Sequence, residues 1–395
     1  MTRQRTPSLT DLPGEFSFIR RCFAGLAGPA ALDLRDDAAL YTPPSGRELV
    51  MAADAMVENV HFLPSDPPDT IGGKLLRCNL SDLAAMGARP EGWLLTLARP
   101  PHITDDWFEA FSRGLKADQE QFGLTLMGGD TTSTTGPLVL SLTIIGSVIP
   151  GQAVQRRGAQ AGDGLWVSGT IGDGALGLQA LQGAIPDPDG WLARRYHTPQ
   201  PRIGLPLYGL ASAAMDVSDG LVQDAGHLAR ENNLCVTIRA ADVPLSDAAR
   251  ATGPAWLETC LTGGDDYEIL MAIPAEREPA GQGHTIMQTL HGPVPLTRIG
   301  EFTAPTHEQP GVRVVDAAGT PMRSAEEGGA TFNRRLHIFE QRASRPAAFH
   351  TSDDACKAAA QCVQSGRAGL HDFPAPSPVQ WYDRAGHGPG ASAHQ

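Results

Sequence analysis

Four short segments set a small residue beside a carboxylate at the edge of an apolar run. They are Asn79-Leu80-Ser81-Asp82-Leu83-Ala84-Ala85-Met86-Gly87-Ala88, Met127-Gly128-Gly129-Asp130-Thr131-Thr132, Asp216-Val217-Ser218-Asp219-Gly220 and Gly263-Gly264-Asp265-Asp266-Tyr267-Glu268. Read as turns, they let backbone approach a ligand closely while the carboxylates point into a cleft. Two carboxylates about 4 Å apart repel by roughly 1 kcal/mol in water and by about 4 kcal/mol at an effective dielectric near 20. Several converging carboxylates therefore need divalent ions or protons. An all-oxygen site of this kind suits Mg²⁺, held by a few carboxylates together with phosphate oxygens. The expected chemistry is magnesium-dependent work on a phosphate.

Single members of the set have plainer readings. Asp36-Asp37 alone reads as a turn or helix cap, His61 as a loop histidine, and the acids at 265–268 as an exposed turn. Asp54 is harder to dismiss, because it follows the apolar run Leu49-Val50-Met51-Ala52-Ala53, and a strand end is where sheet-borne ligands sit. Asp216 ends another such run, with Asp219 three residues on. The set carries the inference. Two phosphate motifs fail on context. Gly172-Asp173-Gly174-Ala175-Leu176-Gly177 fits the dinucleotide glycine pattern, but a loop at 185–190 stands where the second parallel strand is needed, so a strand-to-helix turn is expected. Gly72-Gly73-Lys74 lacks the spacing and the Ser/Thr of a P-loop.

The elements that would position these residues alternate between strand and helix. Helical spacing marks 14–27, 71–86 (stopping at Gly87), 107–121, 175–182 and 221–231. Strands are expected at 38–41, 48–53, 93–98, 125–127, 138–149, 164–168, 214–217, 236–240 and 267–273. This predicts a layered α/β or α+β fold. At 395 residues, two domains are expected, 1–150 and 151–340, with a boundary near Pro150-Gly151. Residues 341–395, rich in Ala, Gly, Pro, Ser and His, are expected to be a disordered tail. The recurrence of Ser-Asp and Gly-Gly-Asp in both halves reads first as coincidence and second as a hint of two similar α/β halves.

A formal charge of −13, from 44 acidic and 31 basic residues, argues against nucleic acid as a partner. Six scattered cysteines without a CxxC, a polar N-terminus and no spanning apolar run predict a reduced, cytoplasmic protein with no membrane contact.

Taken in order, Gly14-Glu15-Phe16, Asp36-Asp37, residues 79–88, Gly128 to Thr132, Arg156 with Gly158, Asp216 to Leu221 and Gly263 to Glu268 resemble the thiamine-monophosphate kinase family over residues 14–303. That family shares a superfamily with aminoimidazole ribonucleotide synthetase and selenophosphate synthetase. The resemblance implies ATP-dependent phosphorylation of thiamine monophosphate to thiamine diphosphate by direct γ-phosphoryl transfer, with no covalent protein intermediate. It implies a two-domain fold that dimerises through the N-terminal domain. Position by position, it implies that Asp37, Asp54, Asp82, Asp130, Asp216 and Asp219 hold several Mg²⁺ ions. Gly129, Asp130, Arg156 and Ser218 would contact ATP, and His61 and Asp265 the thiamine phosphate.

The chain departs from the family pattern at four places. Asp33-Leu34-Arg35 replaces Gly-Ile-Gly, Ala52-Ala53 replaces Ser/Thr residues before Asp54, and Asp265 replaces a Glu. At 328–332 the Gly-Gly-Ala-Thr-Phe stretch lacks a Trp for stacking on the substrate. Competing readings are a sister ATP-dependent synthetase of the superfamily, or a non-catalytic nucleotide-binding relative with a degraded metal site.

Overall fold

The computed structural model describes residues 14–281, 283–305 and 309–322. It begins with α1 (Gly14–Cys22), then 3₁₀ turns in which Leu32, Asp33 and Leu34 take φ of 51°, 60° and 54°. The strand expected at 38–41 does not form. Its backbone meets no neighbouring strand; the Leu40 N–H donates to the Ala30 carbonyl, and the Leu40 side chain stands exposed.

A four-stranded sheet follows, built from β1 (Glu48–Val57), β2 (Arg89–Arg99), β3 (Thr125–Ser133) and β4 (Val139–Val148). Its order is β1-β4-β2-β3, with only the β2–β3 pair parallel. Helices α2 (Pro68–Ala85) and α3 (Asp105–Phe122) cover one face, where Leu140, Leu142 and Ile144 of β4 are fully buried against Leu75, Leu80 and Leu83. The other face is open: Leu49, Met51, Ala53 and Ala55 alternate along β1 as exposed residues.

Every residue of α2 from Ile71 to Ser81 is buried. A helix buried all round must have packing on both sides, and α2 has it. One side meets the first sheet. The other meets a seven-stranded sheet of β5 (Gly164–Ser168), β6 (Ala213–Asp216), β7 (Cys235–Arg239), β8 (Ile269–Ile273), β9 (His284–Thr289), β10 (Gly292–Thr303) and β11 (Gly311–Val315). Its order is β11-β7-β10-β5-β8-β6, with β9 paired to β10. The remaining helices are α4 (Asp173–Leu181), α5 (Trp191–His197), α6 (Leu221–Glu231), α7 (Asp247–Ala251) and α8 (Leu257–Thr262). Strand β8 shows the layering in its own alternation. Ile269, Met271 and Ile273 join the core that contains α2, while Leu270 and Ala272 join the core that contains α6. The architecture is a layered α/β fold, and the change of sheet falls between β4 and β5.

Two of the expected turns are regular structure. Ser81-Asp82 lies in the last turns of α2, which stops at Gly87 (φ 70°) with Gly87 N–H bonded to Ala84 O and Ala88 N–H to Leu83 O. Gly128-Gly129-Asp130 lies inside β3, because the ladder with β2 continues through Leu95–Gly129 and Thr96–Asp130. The 169–172 segment is a strand-to-helix turn between β5 and α4, as expected. The stretch at 328–332 and the tail from Gln341 lie outside the described residues. Among those described, no helix is long and apolar enough to cross a membrane.

Candidate functional site

Three carboxylates from three elements meet where α2 passes between the sheets. Asp54 sits on the α2 side of β1, its N–H donating to Asn79 Oδ1 at 3.1 Å, while Asn79 Nδ2 donates to Leu75 O. The fully buried Asn79 thus fixes β1 against the helix that carries Asp82. Asp216 ends β6. Burial first, then the charges of Asp216 and Asp54, push the Asp82 carboxyl up to about 8, with Arg156 pulling it down. Burial likewise lifts Asp216 to about 6, opposed by Ser81 and Arg156 and assisted by Asp54. Asp54, Asp82, Asp216 and Arg156 therefore form one electrostatic cluster.

The turn after β6 extends it. Asp224, in the first turn of α6, accepts the N–H groups of Ser218, Asp219 and Gly220 on a single oxygen, each at 3.1 Å. Opposite this turn runs the 263–268 strip, held by Asp265 N–H to Ser218 O and Tyr267 N–H to Val217 O. The approach needs Gly264, where a Cβ would lie 2.2 Å from the Ser218 carbonyl oxygen. Asp265 and Tyr267 adopt φ of 72° and 53°, left-handed conformations uncommon for residues other than glycine.

Between these elements lies a cavity of about 210 Å³ lined by Asp54, His61, Lys74, Ser218, Asp219 and Asp265, among others. His61 enters from the loop after β1. Its Nδ1 accepts the Val57 N–H at 3.1 Å, so the neutral ring carries its proton on Nε2 as a donor. Asp66 ties this loop to α5, bonding His197 Nε2 at 3.0 Å and accepting the Leu63 N–H.

Behind the strip the charges are buried and paired. Glu268, fully buried, accepts Ser168 Oγ at 2.6 Å, Arg195 Nη2 at 3.0 Å and both nitrogens of the Arg202 fork. Asp266 accepts the Gly172 and Gly174 N–H groups at the start of α4. Of the three acids and the tyrosine expected as an exposed turn, Asp266 and Glu268 are fully buried and Tyr267 nearly so. Only Asp265 faces the cavity as a half-buried acid.

Asp37, Gly129 and Asp130 are elsewhere. They line a second cavity of about 660 Å³ at the β3 edge, together with Phe16 and Leu34. The register Asp54–Leu142–Leu95–Gly129 runs straight across the sheet. Three strand spacings, about 14 Å, therefore separate Asp54 from the Gly129-Asp130 pair. Asp130 is in register with Thr96, Ser141 and Ala55, on the face turned away from α2. The structure thus brings together Asp54, Asp82, Asp216, Asp219, Arg156, Ser218, His61 and Asp265, and sets Asp37, Gly129 and Asp130 apart. A further cavity of about 830 Å³, beside Arg157, Tyr208 and Arg277, contains none of these residues.

Among the described residues, no group of three or more His, Cys, Asp or Glu side chains is drawn into a ligand cage for a metal ion. The donor chemistry nevertheless fits Mg²⁺. The donors are all oxygen, and the carboxyls of Asp82 and Asp216 are raised first by burial and then by neighbouring carboxylates, both of which a bound divalent cation would offset. Tyr196, Arg195, Arg202 and Asp224 are not among the residues expected from the sequence, and Lys74 enters only in a rejected P-loop pattern. A lysine inside the run Gly72-Gly73-Lys74-Leu75-Leu76 is the one visible signal, since a buried lysine needs a reason.

The model of the family described as AIR synthase related protein, N-terminal domain, matches residues 35–148. The thiamine-monophosphate kinase of Caulobacter vibrioides is 42% identical over 304 residues, covering 73% of this chain and 84% of that protein. The crystal structure of thiamine-monophosphate kinase from Stenotrophomonas maltophilia superposes with a TM-score of 0.63 at 39% identity, over 73% of this chain and 91% of that one. AaThiL complexed with AMPPCP and TMP superposes with a TM-score of 0.60 at 29% identity, over 80% and 99%.

Proposed function

The chain belongs to the thiamine-monophosphate kinase family, and on that premise we propose that it transfers the γ-phosphoryl group of ATP directly to the phosphate of thiamine monophosphate, giving thiamine diphosphate and ADP. The observation that carries this reading is the meeting of Asp54, Asp82 and Asp216, from β1, α2 and β6, beside a cavity that also presents Lys74 and His61. Such a site supplies charge and position and no covalent nucleophile, which is what phosphoryl transfer needs.

One non-bridging oxygen of the acceptor phosphate forms a bond to the γ-phosphorus. The bond from that phosphorus to the β,γ-bridging oxygen breaks, and its electron pair leaves with ADP. The acceptor oxygen is already deprotonated, so no general base is required. Asp37, Asp54, Asp82, Asp130, Asp216 and Asp219 are assigned to Mg²⁺, which when bound neutralises the phosphate oxygens and lines up the two reactants. Gly129, Asp130, Arg156 and Ser218 are assigned to ATP. Within one protomer Asp37, Gly129 and Asp130 lie across the first sheet from Asp54, so their part in the same site requires the second copy proposed below. His61, through Nε2–H, and Asp265 are assigned to the thiamine phosphate.

The reading extends to a homodimer in the cytoplasm. The open face of the first sheet, with Met51 64% exposed, suits burial against a second copy. Light scattering after size exclusion tests this, and a monomer at micromolar concentration removes it. The activity is tested by ADP release with thiamine monophosphate, ATP and Mg²⁺. Nucleotide binding without ADP release would assign the chain to non-catalytic binding.

A further inference from the structure

Lys74 is buried, 3% exposed, in the middle of α2. Desolvating an ammonium costs several kcal/mol unless partners compensate it. Its partners are two: Asp265 Oδ2 at 3.3 Å, and the face of Tyr196, whose ring centre is 3.6 Å from Nζ. An ammonium has three N–H donors, and among the described residues Asp265 is its one hydrogen-bond acceptor. Both partners are themselves held. Tyr196 OH donates to His61 O at 3.4 Å, and Tyr267 OH donates to Asp265 Oδ1 at 3.2 Å. The result is a preset cation with donor capacity to spare, facing a cavity.

The charge of that cavity decides what the cation is for. Asp54, Asp219 and Asp265 line it, and Lys74 is the one lysine or arginine among its described lining residues. A phosphate monoester entering a pocket of three carboxylates is repelled unless something positive meets it. Metal ions held by Asp54 and Asp219 would serve the nucleotide phosphates. On the α2 side Lys74 is the one ammonium, alongside the His61 ring donor.

We propose that Lys74 binds the acceptor phosphate, seating it beside Asp265 and selecting for a phosphorylated acceptor. This rests on the kinase reading above. The ammonium keeps its place over Tyr196 and donates to a non-bridging phosphate oxygen that does not attack, so that the reacting oxygen faces the γ-phosphorus. No bond to Lys74 forms or breaks.

The test compares the wild type with Lys74→Met and Lys74→Arg. Each is titrated with thiamine monophosphate and, separately, with unphosphorylated thiamine as a competitor, in the presence of Mg²⁺ and a non-hydrolysable ATP analogue. Lys74→Met is expected to weaken thiamine monophosphate binding by roughly tenfold to hundredfold, the range of one hydrogen bond to a charged group. Thiamine competition stays within about twofold, and the KM for ATP is unchanged. Lys74→Arg keeps the charge and recovers part of the loss, so a folding defect in Lys74→Met cannot imitate the result. Equal weakening for thiamine and its monophosphate, or an unchanged monophosphate affinity, overturns the proposal while leaving the kinase reading intact. A wild type that releases no ADP with thiamine monophosphate overturns both.

Discussion

Glu268→Gln keeps the shape of a fully buried side chain and removes the charge on which two arginines depend. In the wild type that carboxylate accepts four donors: the Ser168 hydroxyl, Arg195 Nη2 and the two-pronged Arg202 fork. An amide offers one acceptor oxygen and turns two donors of its own toward a guanidinium. The Arg195 and Arg202 side chains are only 8% and 17% exposed, so water cannot easily replace the lost partner. Removing one member of a buried ion pair costs about 3–5 kcal/mol. Arg195 still has Asp173 at 3.7 Å, which points to the lower end, about 3 kcal/mol. At about 2 cal/mol/K of unfolding entropy per residue, a chain of this size shifts by roughly 1–2 °C per kcal/mol, so the melting midpoint should fall by about 3–6 °C. Thermal melts followed by circular dichroism at one scan rate provide the measurement. A second comparison isolates the cause: Glu268→Leu alone should destabilise more than Glu268→Leu combined with Arg202→Met, because the double variant buries one cation fewer. A midpoint shift below about 2 °C for Glu268→Gln, or no recovery in the double variant, would mean that the arginines reach solvent and the reasoning is wrong.

Asp54→Asn and Asp82→Asn should each lower ADP release by at least about 10²-fold, as expected for lost charge stabilisation of the transferring group. Their melting midpoints should hold or rise, because each relieves repulsion in the cluster; near-wild-type turnover would take the residue out of the site. Asp33→Gly should stabilise the chain by about 0.5–1 kcal/mol, since Asp33 holds φ 60° between two other left-handed residues; a lower urea midpoint would contradict the strain. Burial raises the Cys22 thiol to about 11 and the Cys260 thiol to about 12, and lifts Cys78 as well. The thiolate is the reactive form, so at pH 8 iodoacetamide should label half-buried Cys235 well ahead of these three, and Cys22 should speed up only as pH nears 11. Peptide mass spectrometry reads each site, and rapid labelling of Cys22 at pH 8 would refute its burial.

The periodic elements were legible in the residues because one face of each is buried. Leu140, Leu142 and Ile144 announce β4, and the spacing of Phe108, Phe111 and Leu115 announces α3. Short apolar runs misled where pairing decides. Ala38 to Tyr41 finds no partner strand, whereas Gly128-Gly129-Asp130, rich in turn residues, is kept extended by the β2 ladder. Asp54, Asp82 and Asp216 could be proposed from their places at element ends. The arginines that pin Glu268 could not, since Arg195 and Arg202 lie 73 and 66 positions away from it in sequence. The similarity of Ser81-Asp82 to Ser218-Asp219 is not carried into local structure, one pair being helical and the other a turn before α6.

The contact between Lys74 and Asp265 spans 191 positions of the chain, which sets a schedule for the molecule's birth. At roughly 5–20 residues per second of synthesis, α2 waits about 10–40 s after leaving the ribosome before β6, the 263–268 strip and β8 exist to cover its second side. For that interval a helix made to be enclosed has water on one flank. Its lysine stem and leucines are open to any binder of nascent chains. A message truncated before residue 265 would therefore yield a product whose first sheet is complete and whose α2 lacks β8 and the 263–268 strip over its second side, a ready client for chaperones and proteases.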